Sequence, residues 1–419
     1  MLIYLNEIKA IYYINNTNSK TKIINNPNDE LNIDLFINGE QNIFNTEYQF
    51  EKQGEYLVEF KFNEELTDLS SLFMKITNLK SIDLTGLKTN KVKSMNKLFN
   101  ECLSLEKANL SNLNTSNVES MISMFEGCIN LKELYMEQFT TLNTKYTDSM
   151  FENCNNLQKI NIDYFDLTNT ETATYMFKGC YLIKEISLKN EESKDYSSIS
   201  LKSAFSNCYS LKNIDLKSFK RKRVNKIDFM FNNCNSLEFI DLSKFETNQV
   251  KSISYLFSNC TSLTSLDISN MNFSNVEDMA YAFRYCVSLE NIDLSNLDTS
   301  KTIAMSGLFF GCKSLKSIEL NKYKINITSL NDLFNGCTSL SYVILKVTSV
   351  KSVNRVFKNC NSLKFMDLSG FNSNDIALSV EEFFPTNTFN TIIVYNSTLF
   401  TKLERRIPSG WTKIDVENK

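Results

Sequence analysis

The side chains with the most chemical potential in this 419-residue chain are its thiols, eleven cysteines in a sequence with no histidine. A set of thiols can serve as disulfide cross-links, a metal array or a nucleophile. The spacing argues for something else. Every cysteine stands three residues after a phenylalanine, from Phe99/Cys102 to Phe357/Cys360, with 23 to 28 residues between successive cysteines. An odd count and the lack of any C-x-x-C pair disfavour disulfide or zinc frameworks. Coils stacked about 4.8 Å apart would hold parallel Cβ atoms beyond the ~3.5–4.5 Å a disulfide needs. Without histidine, a nucleophilic thiol also lacks its usual base. The column is expected to be a small buried hydrophobe, with reduced thiols that suit an intracellular compartment.

Three other features bear charge or polar chemistry. The outward residue of a recurring I-x-L triplet includes Tyr135 and then five acids in succession, Asp215, Asp241, Asp267, Asp293 and Glu319. Like charges about 5 Å apart repel unless cations or basic groups approach. This stripe is read either as a site for a basic partner or divalent ions, or as a solubilising face. The run Lys220, Arg221, Lys222 and Arg223 replaces a usual turn, and is either an anionic contact or a solvated loop. An insertion at Lys189–Ser200 lengthens one coil and is either a binding loop or a polar loop. No catalytic residue, cofactor or metal ligand is assigned.

The elements that position these residues follow from the repeat, which predicts a solenoid. Each coil reads in outline V-x-x-M-x-x-M-F-x-x-C-x-x-L-x-x-I-D-L-S-x-F-x-T. Leu263, Leu266 and Ile268 end in the alternation of a short strand. Val118, Met121, Met124 and Phe125 fall at i, i+3, i+6 and i+7, which predicts a helix of about two turns. Asn or Gly precedes nine of the eleven cysteines, all but those after Glu101 and Tyr285, and suits a left-handed helix end. Thr115-Ser116-Asn117 and its equivalents suit N-capping. Extending the period to Phe73 and Phe383 gives about 13 coils, an α/β repeat over residues 64–395. Residues 1–63 read as a β-rich N-terminal cap with strands at Lys9–Ile14, Thr21–Ile24, Asn32–Ile37 and Tyr56–Phe62. Residues 396–419 read as a C-terminal cap or tail that folds over the last coil through Trp411, while Phe389, Ile392 and Val394 keep strand phase.

Units such as SLEFIDLSKFETNQV and SYLFSNCTSLTSLDIS resemble the BspA-like class of leucine-rich repeats, in particular the branch of mycoplasma surface-protein repeats. The resemblance spans about residues 64–395. It implies a solenoid that recognises or adheres to a protein partner through a concave sheet face, often at a cell surface. The alternative is a cation-binding protein or carboxylate-based enzyme that uses the acidic stripe. A net charge of −3 argues against broad nucleic-acid binding. No apolar run reaches the ~18–20 residues of a membrane span. The first segment, broken by Asn6, Glu7 and Lys9, lacks a signal-like apolar run, so a cytoplasmic location is expected from the residues themselves.

Overall fold

The computed structural model describes residues 6–25, 31–160, 162, 165–187, 198–216, 223–242, 245–294, 298, 300–320, 326–347, 349–374, 376, 380–386 and 390–417. The chain divides into two compact units, Met1–Lys222 and Arg223–Lys419. Both are β-solenoid in character and built of the same coil. The repeating part forms about eleven turns, one per cysteine. The thirteen turns expected from the extended period are not supported. Before the first cysteine, the strand Leu79–Gly86 also pairs antiparallel with Asn6–Ile14. After the last, Phe383 meets Phe357 edge-on at 82° instead of continuing the parallel stack.

In the first unit, Asn6–Ile14 lies between Gly54–Phe62 and Leu79–Gly86, antiparallel to both. Ile33–Ile37 extends that sheet beyond Gly54–Phe62. Parallel strands then follow at Lys107–Asn109 and Glu133–Tyr135, and Glu185–Ser187 pairs parallel with Asn213–Asp215. In the second unit, Ser317–Leu320, Tyr342–Leu345, Phe365–Asp367, Ile392–Tyr395 and Thr412–Asp415 form one parallel sheet. The strand Ile392–Tyr395 buries Ile393 and Tyr395, while Ile392 is exposed. That is one residue out of the expected phase, because its register is set by pairing Met366 with Ile393.

The predicted helix in each coil is absent: the one helix among the described residues is Thr401–Glu404. A ladder of β-turns stands in its place. In the coil around Phe257, the amides of Leu256, Ser258 and Cys260 donate to the carbonyls three residues back, at 3.0–3.2 Å. The amides between them, of Ile253, Tyr255, Phe257 and Asn259, donate instead to Asp278, Ala280, Ala282 and Arg284 of the next coil, at 2.7–3.0 Å. An α-helix would spend every one of these amides inside its own segment. So short a segment also gains little from helix formation on its own. Turning the chain this way requires two left-handed residues per coil, four apart, such as Tyr255 (φ 56°) and Asn259 (φ 61°). The position before each cysteine is left-handed as expected, and Glu101 (φ 56°) and Tyr285 (φ 57°) conform although they are neither Asn nor Gly.

The core is a column of phenylalanines. Within the first unit, Phe73 through Phe205 stack at centroid spacings of 5.1–5.8 Å. Within the second, Phe231 through Phe357 stack at 5.4–5.9 Å. Each fully buried ring contributes roughly 1.5–3 kcal/mol by burial. Threonines and asparagines expected to cap helices staple coils instead. Thr115 Oγ1 donates forward to the Thr140 carbonyl at 2.6 Å, and Asn117 Nδ2 donates back to Asn90 at 2.7 Å. The pattern recurs at Thr141 with Asp166 and at Asn143 with Ser116. Near the C-terminus Trp411 packs edge-on against Phe384 at 5.2 Å.

The turn ladder makes a prediction of opposite sign to that of a helix. Lys97 is exposed and left-handed (φ 56°). Glycine there relieves backbone strain, so Lys97→Gly is expected to raise stability by about 0.5–1 kcal/mol in a urea titration. In a helix interior the same change would cost about 1 kcal/mol, and a loss of that size contradicts the ladder.

Candidate functional site

All eleven cysteines are buried, and none is in a disulfide. Their role is more specific than apolar filling. Cys128 Sγ lies 3.1 Å from the Phe99 carbonyl of the preceding coil, and Cys154 Sγ 3.2 Å from that of Phe125. The pattern holds at Cys260 with Phe231 and at Cys312 with Phe283. The same phenylalanine carbonyl already accepts its own coil's cysteine amide, as Phe99 does from Cys102 at 3.1 Å. The thiol thus uses the second lone pair of a buried carbonyl. A thiol of this kind is a poor nucleophile, because burial pushes Cys102 and Cys286 up to about 12.

Among the described outward residues, Tyr135, Asp241, Asp267, Asp293 and Glu319 are exposed, whereas Asp83, Asn109, Ser187, Asp215, Ile344 and Asp367 are half-buried. Tyr135 is 41% exposed, and its hydroxyl donates to Glu133 Oε2 at 3.0 Å. Lys107 reaches the same carboxylate at 3.1 Å and sits 5.1 Å from the Tyr135 ring centroid. Hydrogen bonding from Lys107 and Tyr135 holds the Glu133 carboxyl below its usual range. Asp215 belongs to the first unit and is half-buried; Asp241, Asp267, Asp293 and Glu319 belong to the second and are exposed. The structure therefore describes the stripe as two separate sets.

These acids also have a local task that the sequence reading missed. Asp267 Oδ1 accepts the Ser269 amide at 2.9 Å, closing the turn after the strand segment. Asp83 does so with Thr85, Asn109 with Ser111, and Asp367 with Ser369. The Ser269 hydroxyl and amide hold the Asp267 carboxyl below its usual range, against opposition from Asp241. Glu319 faces Ile344, which faces Asp367, within a continuous ladder. At Asp241, Asp267 and Asp293, where acid follows acid, no strand is assigned. Like charges placed opposite one another weaken a ladder.

The remaining sequence candidates fall mostly outside the described residues. Lys220, Arg221 and Lys222 do, while half-buried Arg223 opens the strand Arg223–Lys226. In the insertion only Ser198–Ser200 is described, as a strand. Among the described residues no three His, Cys, Asp or Glu side chains converge to hold a metal ion, and no helix is long and apolar enough to cross a membrane. The carboxylate-enzyme alternative finds no support in this geometry.

One column escaped the sequence reading. The residue two before each core phenylalanine is aromatic at Tyr175, Phe229, Tyr255 and Tyr281, and the last three, half-buried, stack at 4.7 and 5.0 Å. The signal was there at the period of the repeat, two residues before the phenylalanines that defined it.

The family described as "Mycoplasma protein of unknown function, DUF285" matches residues 67–189 and 199–323, more than half of the chain. The BspA type leucine rich repeat region matches residues 277–402. Among solved structures, a leucine-rich repeat protein from Bacteroides ovatus is similar at 19% identity over 81% of this chain and 86% of its own, with a TM-score of 0.42. The pneumococcal vaccine antigen PcpA is similar at 13% identity over 84% of each chain, with a TM-score of 0.34. A leucine-rich repeat protein of Leptospira interrogans is similar at 14% identity over 83% of this chain and 94% of its own, with a TM-score of 0.23. No curated relative matches in sequence.

Two outcomes follow from the site's electrostatics. Burial raises the folded thiol pKa, so the thiols' contribution to stability is complete below the ordinary value of 9.0 and is lost as pH rises from there toward about 12. The melting temperature is expected to fall across that window with no thiolate absorbance before unfolding; thiols that titrate in the native protein near their ordinary value contradict this. Asp267→Asn keeps a turn acceptor but loses the charge that the Ser269 hydroxyl and amide favour in the folded state, so its urea midpoint is expected to fall slightly at neutral pH. A higher midpoint would mean that repulsion from Asp241 outweighs those hydrogen bonds.

Proposed function

Because the chain belongs to the mycoplasma family DUF285, built on BspA-type leucine-rich repeats, we propose that it is a non-enzymatic scaffold that recognises, or adheres to, a protein partner through its strand face. The observation that carries this reading is the fixed outward presentation of Tyr135, held beside Lys107 and Glu133 on a parallel ladder. Tyrosine supplies a large contact area at a small entropic cost, which suits a recognition hot spot. In the second unit the exposed acids Asp241, Asp267, Asp293 and Glu319 favour a basic partner surface, and Asp215 adds to that preference in the first. Repetition places these acids in near-equivalent surroundings, whereas acid–base catalysis needs two carboxyls with unequal pKa values.

In this reading residues 1–63 cap the first coil through the strand Asn6–Ile14, and residues 396–419 cover the last through Thr412–Asp415. Lys413 and Asp415 then place charge on that final strand, which discourages edge-to-edge pairing.

The test is affinity capture from a host extract with three baits: the parent chain, Tyr135→Ala, and a variant with Asp215, Asp241, Asp267 and Asp293 changed to Asn and Glu319 to Gln. A partner retained by the parent at low salt is expected to be lost, or weakened at least about tenfold, with one or both variants. Both variants should keep the parent's circular dichroism spectrum and a cooperative melt. Undiminished capture by both would remove the strand face as the site.

A further inference from the structure

The turn ladder of the second unit carries a surface that the strand-face reading does not use. Phe229, Tyr255 and Tyr281 stack along it, and Arg284 stands at the end of that stack beside Tyr285 and Phe310. The Arg284 guanidinium lies 4.6 Å from the Tyr285 ring centroid, 5.7 Å from Phe310 and 5.9 Å from Tyr281. All six residues are half-buried. The two tyrosines beside Arg284 lean over glycines of the next coil. A Cβ at Gly307 would stand 2.2 Å from Tyr281, and one at Gly311 would stand 2.3 Å from Tyr285.

Three observations separate this patch from ordinary coil packing. Phe229, Tyr255 and Tyr281 place aromatic rings in three successive coils, with Tyr285 beside them, at left-handed positions (φ 56–57°) that other coils fill with Ser, Lys, Asp, Arg, Glu, Asn, Gly or the isolated Tyr175. Bulky side chains are costly there, and such strain gathers at functional sites. Second, Arg284 has no carboxylate in its column. The equivalent Lys178 pairs with Glu152 of its column at 2.8 Å, and Lys358 pairs with Glu382 beside its column at 2.6 Å, but the neighbours of Arg284 in the column are Ser258 and Phe310. Among the described residues it forms no ion pair. Third, the charged side chain that lies over these rings is a guanidinium. A guanidinium stacked on a ring keeps its N–H fork free at the edge, where it receives a carboxylate in bidentate fashion. The stacked rings cover one another's faces and present their edges, the positive part of the aromatic quadrupole. Asp278 bears on Tyr255, but its Oδ1 is engaged by the Ala280 amide at 2.8 Å.

We propose that this patch is a docking site for an acidic peptide segment of a partner protein, with a carboxylate seated on the Arg284 fork and an apolar side chain along the ring edges. Ring faces already in contact leave no slot for a nucleobase, which disfavours single-stranded nucleic acid. The site lies on the turn ladder and stands whether or not the strand face binds.

The test uses the full chain with labelled poly(Glu,Tyr) copolymer as probe, and poly(Lys,Tyr) and poly-uridylate in parallel. Poly(Glu,Tyr) is expected to bind in a salt-dependent manner. Arg284→Gln and Tyr281→Ser are each expected to weaken it at least about tenfold. Serine occupies the Tyr281 position in other coils, as Ser123 does (φ 56°), so this variant is expected to fold. Lys301→Gln, a change to an exposed cation of the same unit, should leave binding unchanged, as should neutralising the strand-face acids. The proposal is overturned if poly(Glu,Tyr) does not bind, if Arg284→Gln binds as the parent does, or if Lys301→Gln weakens binding equally. It is also overturned by preferential binding of poly-uridylate or poly(Lys,Tyr). Self-association that the same substitutions abolish would assign the patch to a second copy of this chain and overturn it too.

Discussion

Every second amide of the turn segment is committed to the neighbouring coil, and the rest of the molecule is arranged around that commitment. Ile253, Tyr255, Phe257 and Asn259 donate across to the next coil while the residues between them close turns within their own. Alternation of this kind cannot exist in a right-handed helix. It needs a left-handed residue at two places in each coil, and it brings phenylalanines of successive coils into register. Once the register is set, each coil's residues form columns at a fixed step. A column is then the unit in which both stability and recognition must be understood.

The cysteines show how the constraint selects chemistry. A phenylalanine carbonyl at the end of the turn segment is buried with one lone pair unused by its own coil, and the thiol of the next coil reaches it. A side chain small enough for that space, apolar enough to be buried, and still able to donate, is cysteine. The thiols that looked most reactive on paper are among the least reactive groups in the fold. The acids of the strand column are similar: Asp267 and Asp367 each use an oxygen to close a turn, after which Asp267 offers its charge to solvent and Asp367 lies 3.5 Å from Lys346.

Much of this was legible in the sequence, for identifiable reasons. The Phe/Cys period gave the repeat, and Asn or Gly before cysteine gave one left-handed position, because those residues bear it at least cost. The other left-handed position was hidden: Ser71, Lys97, Tyr175, Phe229, Asp332 and Arg355 share no type. Met121, Met124 and Phe125 then read as a helix stripe, because spacings of three and four are common to helices and to successive β-turns. Thr115 and Asn117 look like caps for the same reason. That their hydrogen bonds run 25 and 27 residues along the chain is a tertiary fact with no local trace. The outward setting of Tyr135, Asp241 and Asp267 was legible from strand alternation; the turn-closing bond of Asp267 and the Arg284 cluster were not, since both depend on what stacks beside them.

Both proposed sites are columns: strand residues, with Tyr135 in the first unit and exposed acids in the second, and aromatic edges around one arginine on the turn ladder of the second unit. Both follow from the cross-coil amides, and these can be observed directly. In uniformly labelled protein, the scalar coupling through the hydrogen bond identifies the carbonyl that accepts the Phe257 amide. The account predicts a coupling to the Ala282 carbonyl, at 2.8 Å in the next coil. A coupling to Ile253, four residues back, would mean a helix and would contradict it.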